Sequence, residues 1–557
     1  MVRNCWILRT RFHELARESC CNNQKARQRR LGTSTVMRKI LHALGMVALL
    51  CLPGGAAWAS STADHSKFES LKGPFASGPE VTKACLACHT EASHQVMKSV
   101  HWTWDITNPQ TGKRLGKART ANSFCGSPVS NEPRCTSCHA GYGWTDVRQP
   151  APTDPNAVDC LVCHDRSGQY SKVATDAGHP LYEPRMIGGK LKQPPDLIKA
   201  AQSVGDPGRD NCGACHFNGG GGDAVKHGDL DSSLKKPSRE LDVHMSADGA
   251  NMTCATCHTF NDHIPSGSRY MTQAKDPHGL DLPKDDHNRA TCESCHGDTP
   301  HQQAKLNDHT DKVACQTCHI PEFARGGIAT KTWWDWSTAG RKDADGKPIF
   351  IKDEHGHLSY SAEKGDFRYG ENVRPTYRWY NGIIDPINMG ENIDDSGILV
   401  LNTLHGGPDD PKARIWPFKE MRGKQPYDPE LKTLLINHVF GQDDSAFWTH
   451  FDIQKAIKFG MEYAGMPWSG KIDFIETRMY WPITHMVAPK EQAVKCGECH
   501  TGSADGRLAD LPGFYMPGRD GSKLLDILGF LALGGAIVGV IVHGLLRIVL
   551  KGKSRHE

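Results

Sequence analysis

Residues 212–231 read CGACHFNGGGGDAVKHGDLD. The first five, Cys212-Gly-Ala-Cys-His216, form one of eight Cys-x-x-Cys-His units; the others begin at Cys85, Cys135, Cys160, Cys254, Cys292, Cys315 and Cys496. Paired CxxC units also build tetrahedral zinc sites, but zinc has no need of a histidine at the next position. With 29 histidines in 557 residues, chance does not place one after every pair. CxxCH is the attachment signature of c-type haem. The two thiols become thioethers on the porphyrin vinyl groups, and the adjacent imidazole turns onto the iron from the same side. A thioredoxin-like redox pair would need a strand–helix context that this loop-rich chain lacks. The glycines after His216 match neither phosphate-loop spacing, so no phosphate cradle is supported.

Eight covalently attached haems are therefore expected. They are held by Cys85 and Cys88, Cys135 and Cys138, Cys160 and Cys163, Cys212 and Cys215, Cys254 and Cys257, Cys292 and Cys295, Cys315 and Cys318, and Cys496 and Cys499. The proximal ligands are His89, His139, His164, His216, His258, His296, His319 and His500. Electron-transfer haems favour a second strong axial ligand. The expected distal histidines are His101, His227, His244, His263, His278, His301, His309 and His485, most of them a short helix or loop away from a motif.

Seven motifs crowd residues 85–319, and a long stretch without any precedes the eighth. The reading divides the chain into a leader (1–59), a haem-rich domain (60–320), a haem-sparse domain (321–515) and a C-terminal linker, span and tail (516–557). Gly, Pro, Asp and Asn are frequent in the haem-rich part, which implies short helices and loops packed on porphyrin faces. Hydrophobic residues make up only 38% of the chain, as suits an interior made largely of cofactor. The expected fold is mainly α and loop-rich, built around the haems, with one transmembrane helix. Residues 445–464 read as helical. Trp333, Trp334 and Trp336 read as packing residues in preference to a channel lining.

Met37 begins a charged start and an apolar run that leads to Ala57-Trp58-Ala59, the pattern of a secretory signal peptide cut after Ala59. Met37 is read as the true start, with the basic residues 1–36 preceding it. Ile527 to Leu546 carries no formal charge and suffices to cross a bilayer. Arg547, Lys551, Lys553 and Arg555 follow it, so the positive-inside rule places the C-terminus in the cytoplasm and the body outside, in the periplasm of a bacterium. His543 reads as a tolerated residue within the span. The net charge of +3 argues for no nucleic-acid partner. Expected partners are the membrane, a quinol-linked or cytochrome electron donor and a small anionic substrate; homo-oligomerisation is left open.

Once the haem and leader cysteines are set aside, one thiol remains in the exported part, Cys125, ahead of the second motif in ANSFCGSPVSNEPRCTSCH. An odd thiol in an exported protein is a candidate for reactivity. The eight motifs, Cys125 and CHFNGGGGDAVKHGDLD together resemble the octahaem tetrathionate reductase family of multihaem cytochromes c, over most of residues 80–505. The resemblance implies that the haem on Cys135, Cys138 and His139 has Lys226 as its unusual axial ligand, with Cys125 and Asp223 beside it. Deprotonating a lysine of ordinary pKa at pH 7 costs about 4.6 kcal/mol, which the iron bond must offset. The implied activity is reduction of tetrathionate to thiosulfate, or of nitrite or hydroxylamine at the same iron. Two other readings stay open: an electron conduit without its own substrate, and a hydroxylamine-oxidoreductase-like enzyme, for whose tyrosine cross-link the sequence gives no sign. In the leading reading the glycines are a hinge that brings Lys226 to iron, and Asp223 accepts the lysine's hydrogen bonds.

Overall fold

The computed structural model describes residues 63–108, 110–270 and 290–553; the leader, His278 and Arg555 lie outside them. Within the haem-rich part, regular structure is confined to short helices and two-stranded ribbons. The attachment motifs themselves are single helical turns, such as Cys160–His164 and Cys315–His319. A turn of 3.6 residues sets the two cysteines (i, i+3) and the histidine (i+4) on one side, so the motif spacing is the helix period. Asp159 fixes one of these turns by accepting a hydrogen bond from the Val162 amide at 3.1 Å.

Beyond the seventh motif the expectation of a mainly α fold is corrected: the largest regular element is a nine-stranded sheet. Its strands are β1 (Thr330–Asp335), β2 (Phe350–Lys352), β3 (Leu358–Ser361), β4 (Gly365–Gly370), β5 (Thr376–Tyr380), β6 (Leu399–Val400), β7 (Arg414–Asp428), β8 (Thr433–Leu434) and β9 (Asp473–Pro482). The long strand β7 organises the sheet. β9 runs antiparallel along one edge, from Phe418 opposite Pro482 to Tyr427 opposite Asp473. The other edge is shared by β5, opposite Arg414–Phe418, and by β1, parallel to Arg422–Lys424. Pro417 and Pro426 offer the sheet no N–H, but their carbonyls still accept from the Ile483 amide at 3.0 Å and the Leu435 amide at 3.1 Å.

Trp334, Trp336, Phe367, Met421, Met479 and Trp481 build the main core on this sheet, and Phe124 and the half-buried Cys125 from the haem-rich part pack into it. The two halves of the chain thus share one interior. The helix expected over 445–464 forms in two pieces, Phe447–His450 and α1 (Ile453–Ala464), because Phe451 takes a left-handed φ of 62° and Asp452 caps the second piece. α1 crosses so close to the segment after β8 that a Cβ on Gly460 would lie 2.0 Å from the Ile436 carbonyl oxygen. The last element, α2 (Lys523–Lys553), is long and apolar enough to cross a membrane.

Candidate functional site: paired histidines and one exception

Seven motif histidines each face a second histidine ring. Centroid separations are 6.3 Å for His89 with His65, 6.4 Å for His164 with His263 and 6.2 Å for His216 with His101. They are 6.2 Å for His258 with His485, 6.0 Å for His296 with His244, 5.9 Å for His319 with His301 and 6.0 Å for His500 with His309. Two metal–nitrogen bonds of about 2 Å plus the half-widths of both rings come to about 6 Å, so one metal atom fits each gap.

Hydrogen bonding agrees with that use. The Nδ1–H of His164 donates to the Gly205 carbonyl at 2.9 Å, that of His258 to Ser266 at 3.1 Å and that of His500 to Pro517 at 2.9 Å. On facing rings, Nδ1 of His263 meets Gln95 Oε1 at 2.7 Å, that of His309 meets the Lys305 carbonyl at 2.7 Å, and that of His485 meets Asp229 Oδ2 at 3.0 Å. Fixing Nδ1 this way leaves Nε2 free for a metal and sets the ring's direction.

Cysteine normally ranks among the most buried residues, yet the thiols of Cys88, Cys138, Cys163, Cys257, Cys295 and Cys496 are exposed. His216 also keeps accessible surface while the surrounding protein desolvates it and pushes its pKa down to about 3. A side chain that is enclosed and yet uncovered lines a slot, and haem c fits this donor set.

His139 departs from the pattern. No histidine ring pairs with it among the described residues; instead it is caged by Trp102, Trp104 and Trp144, with centroids at 4.6, 5.7 and 4.8 Å. Its Nε2–H donates to the Trp102 carbonyl at 2.8 Å, and its buried Nδ1 has no partner. Binding iron through Nε2 requires this ring to release that carbonyl. Burial pushes its pKa down to about 3. Lys226, near enough for the Cys125 and Cys138 thiols to act on it electrostatically, is 8% exposed.

A family model described as bacterial cytochrome c matches residues 331–503. No curated protein sequence matches the chain. The crystal structure of octaheme cytochrome c from Shewanella oneidensis is 42% identical, covers 80% of this chain and 95% of its own, and superposes with a TM-score of 0.68. The chain belongs to the octahaem c-type cytochromes. Its cofactor is haem c, bound covalently in several copies.

The cytochrome's motifs touch one another through their thiols. Cys85 lies beside Cys160, Cys138 beside Cys215, Cys212 beside Cys254, and Cys292 beside Cys315. Cys163 acts electrostatically on Cys212, and Cys499 on Cys318. Between the fifth and sixth motifs the link is made by the facing histidines: the Val243 amide beside His244 donates to the Val487 carbonyl near His485 at 3.0 Å. Asp242 also accepts from the Met486 and Val487 amides. The motifs therefore form a run in the order Cys85, Cys160, Cys212, Cys254, Cys292, Cys315 and Cys496, and the Cys135 motif branches from Cys212.

At that branch the expected hinge is a packed turn. Gly220 and Gly221 take φ of +78° and +92°, and a Cβ on Gly220 would lie 2.8 Å from the Phe124 ring. A Cβ on Gly219 would sit 3.2 Å from Lys226 Cδ, so the bare backbone there makes room for the lysine's stem. Burial first, then the Arg269 and Lys117 charges, hold the Lys226 pKa well below its ordinary range, which favours the neutral amine. Asp223 is not its partner: the carboxylate accepts from the Ser232 amide at 2.9 Å and from the Ser232 hydroxyl. Its place at the head of a tight turn spends it on the backbone. His227 likewise meets no motif histidine; its ring packs on Trp481 at 4.9 Å, beside Lys226 and Arg269.

Three groups without a signal in the sequence complete the site. Lys419, 0% exposed on β7, donates from Nζ to the Val225 and Lys226 carbonyls at 3.0 Å each, and Thr330 Oγ1 lies 2.6 Å from the same nitrogen. It clamps the Lys226 backbone to the sheet. Lys331 on β1 is buried with Nζ 3.4 Å from the Phe367 ring centroid, and both it and Lys364 lie within electrostatic reach of Cys125. Burial lowers the pKa of both lysines. Neither makes an ion pair with a carboxylate among the described residues, though Glu363 acts electrostatically on Lys364, so two desolvated lysine amines stand near Cys125.

Proposed function

We propose that this cytochrome is an exported, membrane-anchored reductase of a small oxo-anion or nitrogen compound, with tetrathionate first among them, acting between His139 and Lys226. The observation that carries the proposal is the exception: seven motif histidines face a histidine ring, whereas His139 faces none among the described residues, and its motif's Cys138, like Cys125, lies within electrostatic reach of the buried Lys226. In a pure electron conduit such a variation would only tune one haem's potential. A substrate site gains a ligand that leaves more readily than imidazole.

Haem c, when bound, supplies one-electron storage and a metal centre. The chain's own residues do the rest. A dianion next to Cys125 would raise the lowered pKa of Lys331 and Lys364 and draw protons onto both amines, which then hold it. A Cys125 thiolate attacking the central S–S bond of tetrathionate forms a Cys–S–S–SO3 adduct and expels thiosulfate, a good leaving group. Two electrons then break the new S–S bond, release the second thiosulfate and restore the thiolate. Lys226, once displaced, takes up a proton and becomes a further cation for the leaving anion.

The run of touching motifs favours a second reading, a conduit that carries electrons through the body to another reductase. Reduced-viologen assays with tetrathionate, nitrite and hydroxylamine separate the two. Consumption of one substrate by wild type, and its loss in Lys226→Ala and Cys125→Ala, supports the reductase. No consumption of any of the three leaves the conduit.

A further inference from the structure

The stretch between the last haem motif and α2 is bound to the body almost to the first turn of the helix. Leu508, Leu511 and Met516 are buried with Tyr377 and Ile415 of the sheet. Arg519 donates from Nη1 to the Leu508 and Leu511 carbonyls at 2.9 and 2.7 Å and from Nη2 to the Phe514 carbonyl at 2.7 Å. Asp520 holds the same loop, accepting from the Met516 amide at 2.8 Å while its own amide donates to the Met516 carbonyl at 2.9 Å. The Pro517 carbonyl receives the Nδ1–H of His500. On the other side, Ser522 already belongs to the helix: its carbonyl accepts from the Asp526 amide at 2.9 Å and its hydroxyl from the Leu525 amide.

Gly521 alone separates the docked loop from the helix cap. Two peptide units reach no more than about 7 Å, so α2 cannot carry the body on a loose leash. Tyr515, on this docked loop, is 72% exposed, and its neighbour Phe514 meets Trp379 edge-on at 5.6 Å. A large exposed aromatic with a polar tip, a few residues before an apolar span, is what the headgroup layer of a bilayer selects.

We infer that the face formed by residues 508–520, with the His500 motif behind it, lies against the phospholipid headgroup layer, Tyr515 entering that layer. The inference rests on the reading of α2 as a membrane span. It gives the body one orientation and turns the end of the motif run toward the membrane, opposite in the run to the Cys85 motif.

The test uses the full-length holoprotein in phosphatidylcholine–phosphatidylglycerol vesicles. A nitroxide is placed by Tyr515→Cys in a Cys125→Ser background, alone and with a Gly-Ser insertion of about ten residues after Gly521, long enough to free the body. The expected result is a label shielded severalfold from an aqueous nickel chelate in the short-linked protein and open to it in the extended one. Equal accessibility in both, with the protein floating with the vesicles, overturns the inference. Failure to float overturns the spanning reading on which it rests.

Discussion

Replacing Lys419 with methionine keeps the length of the side chain and removes the donor that pins the Lys226 backbone. A neutral amine has two N–H donors, so two donated hydrogen bonds, to the Val225 and Lys226 carbonyls, are lost together with the contact to Thr330 Oγ1, and both carbonyls are left in a dry place. At about 1–2 kcal/mol for each stranded acceptor, the expected loss at alkaline pH is about 2–4 kcal/mol. The pH dependence is the sharper signature. Burial holds the Lys419 pKa at about 7, below its ordinary 10.5. Between those values the unfolded chain binds the proton and the folded chain does not, so wild-type stability falls as pH is lowered from 10.5 and levels off below about 7. At about 1.4 kcal/mol per pH unit, the stability advantage of wild type over Lys419→Met is about 2–3 kcal/mol larger at pH 9 than at pH 7. Denaturant titrations of the two holoproteins at both pH values measure this difference directly. An advantage that does not change with pH refutes the account of Lys419 as a buried, deprotonated clamp.

His65→Ala removes the ring opposite His89, so one haem should become high-spin and bind carbon monoxide, read by resonance Raman spectroscopy. Gly220→Ala puts a methyl group into a φ of +78° and against Phe124; a loss of about 1–3 kcal/mol is expected in the same denaturant titration. Cys125→Ala should lower tetrathionate turnover by about tenfold or more, equivalent to at least about 1.4 kcal/mol of transition-state stabilisation, while leaving the optical spectrum unchanged.

The attachment turns were legible because CxxCH is both a chemical requirement and one turn of helix. Among the facing histidines, His101, His244, His263, His301, His309 and His485 were legible from their closeness to a motif in sequence. His65 was not, because it precedes the first motif by a whole helix and the loop before it. His227 follows a motif closely in sequence, yet its ring and the Lys226 amine both bear on Trp481, and no motif histidine ring pairs with it among the described residues. The sheet escaped the reading for a physical reason: β7 is buried along nearly its whole length and carries two prolines, so it lacks the apolar–polar alternation of a half-exposed strand. Lys331, Lys364 and Lys419 were invisible because a lysine in sequence reads as a surface residue, and only the sheet brings these three to the Cys125 and Lys226 loops.

The central claim is that Lys226 serves the iron of the Cys135 motif and that imidazole pairs serve the rest. Near-infrared magnetic circular dichroism of the oxidised protein, with low-temperature EPR, tests it most directly on wild type and Lys226→Ala. The account predicts a charge-transfer band of amine–imidazole ligation beside the dominant bis-imidazole band, and its replacement in Lys226→Ala by a single high-spin haem. Superimposable spectra of the two proteins would contradict it.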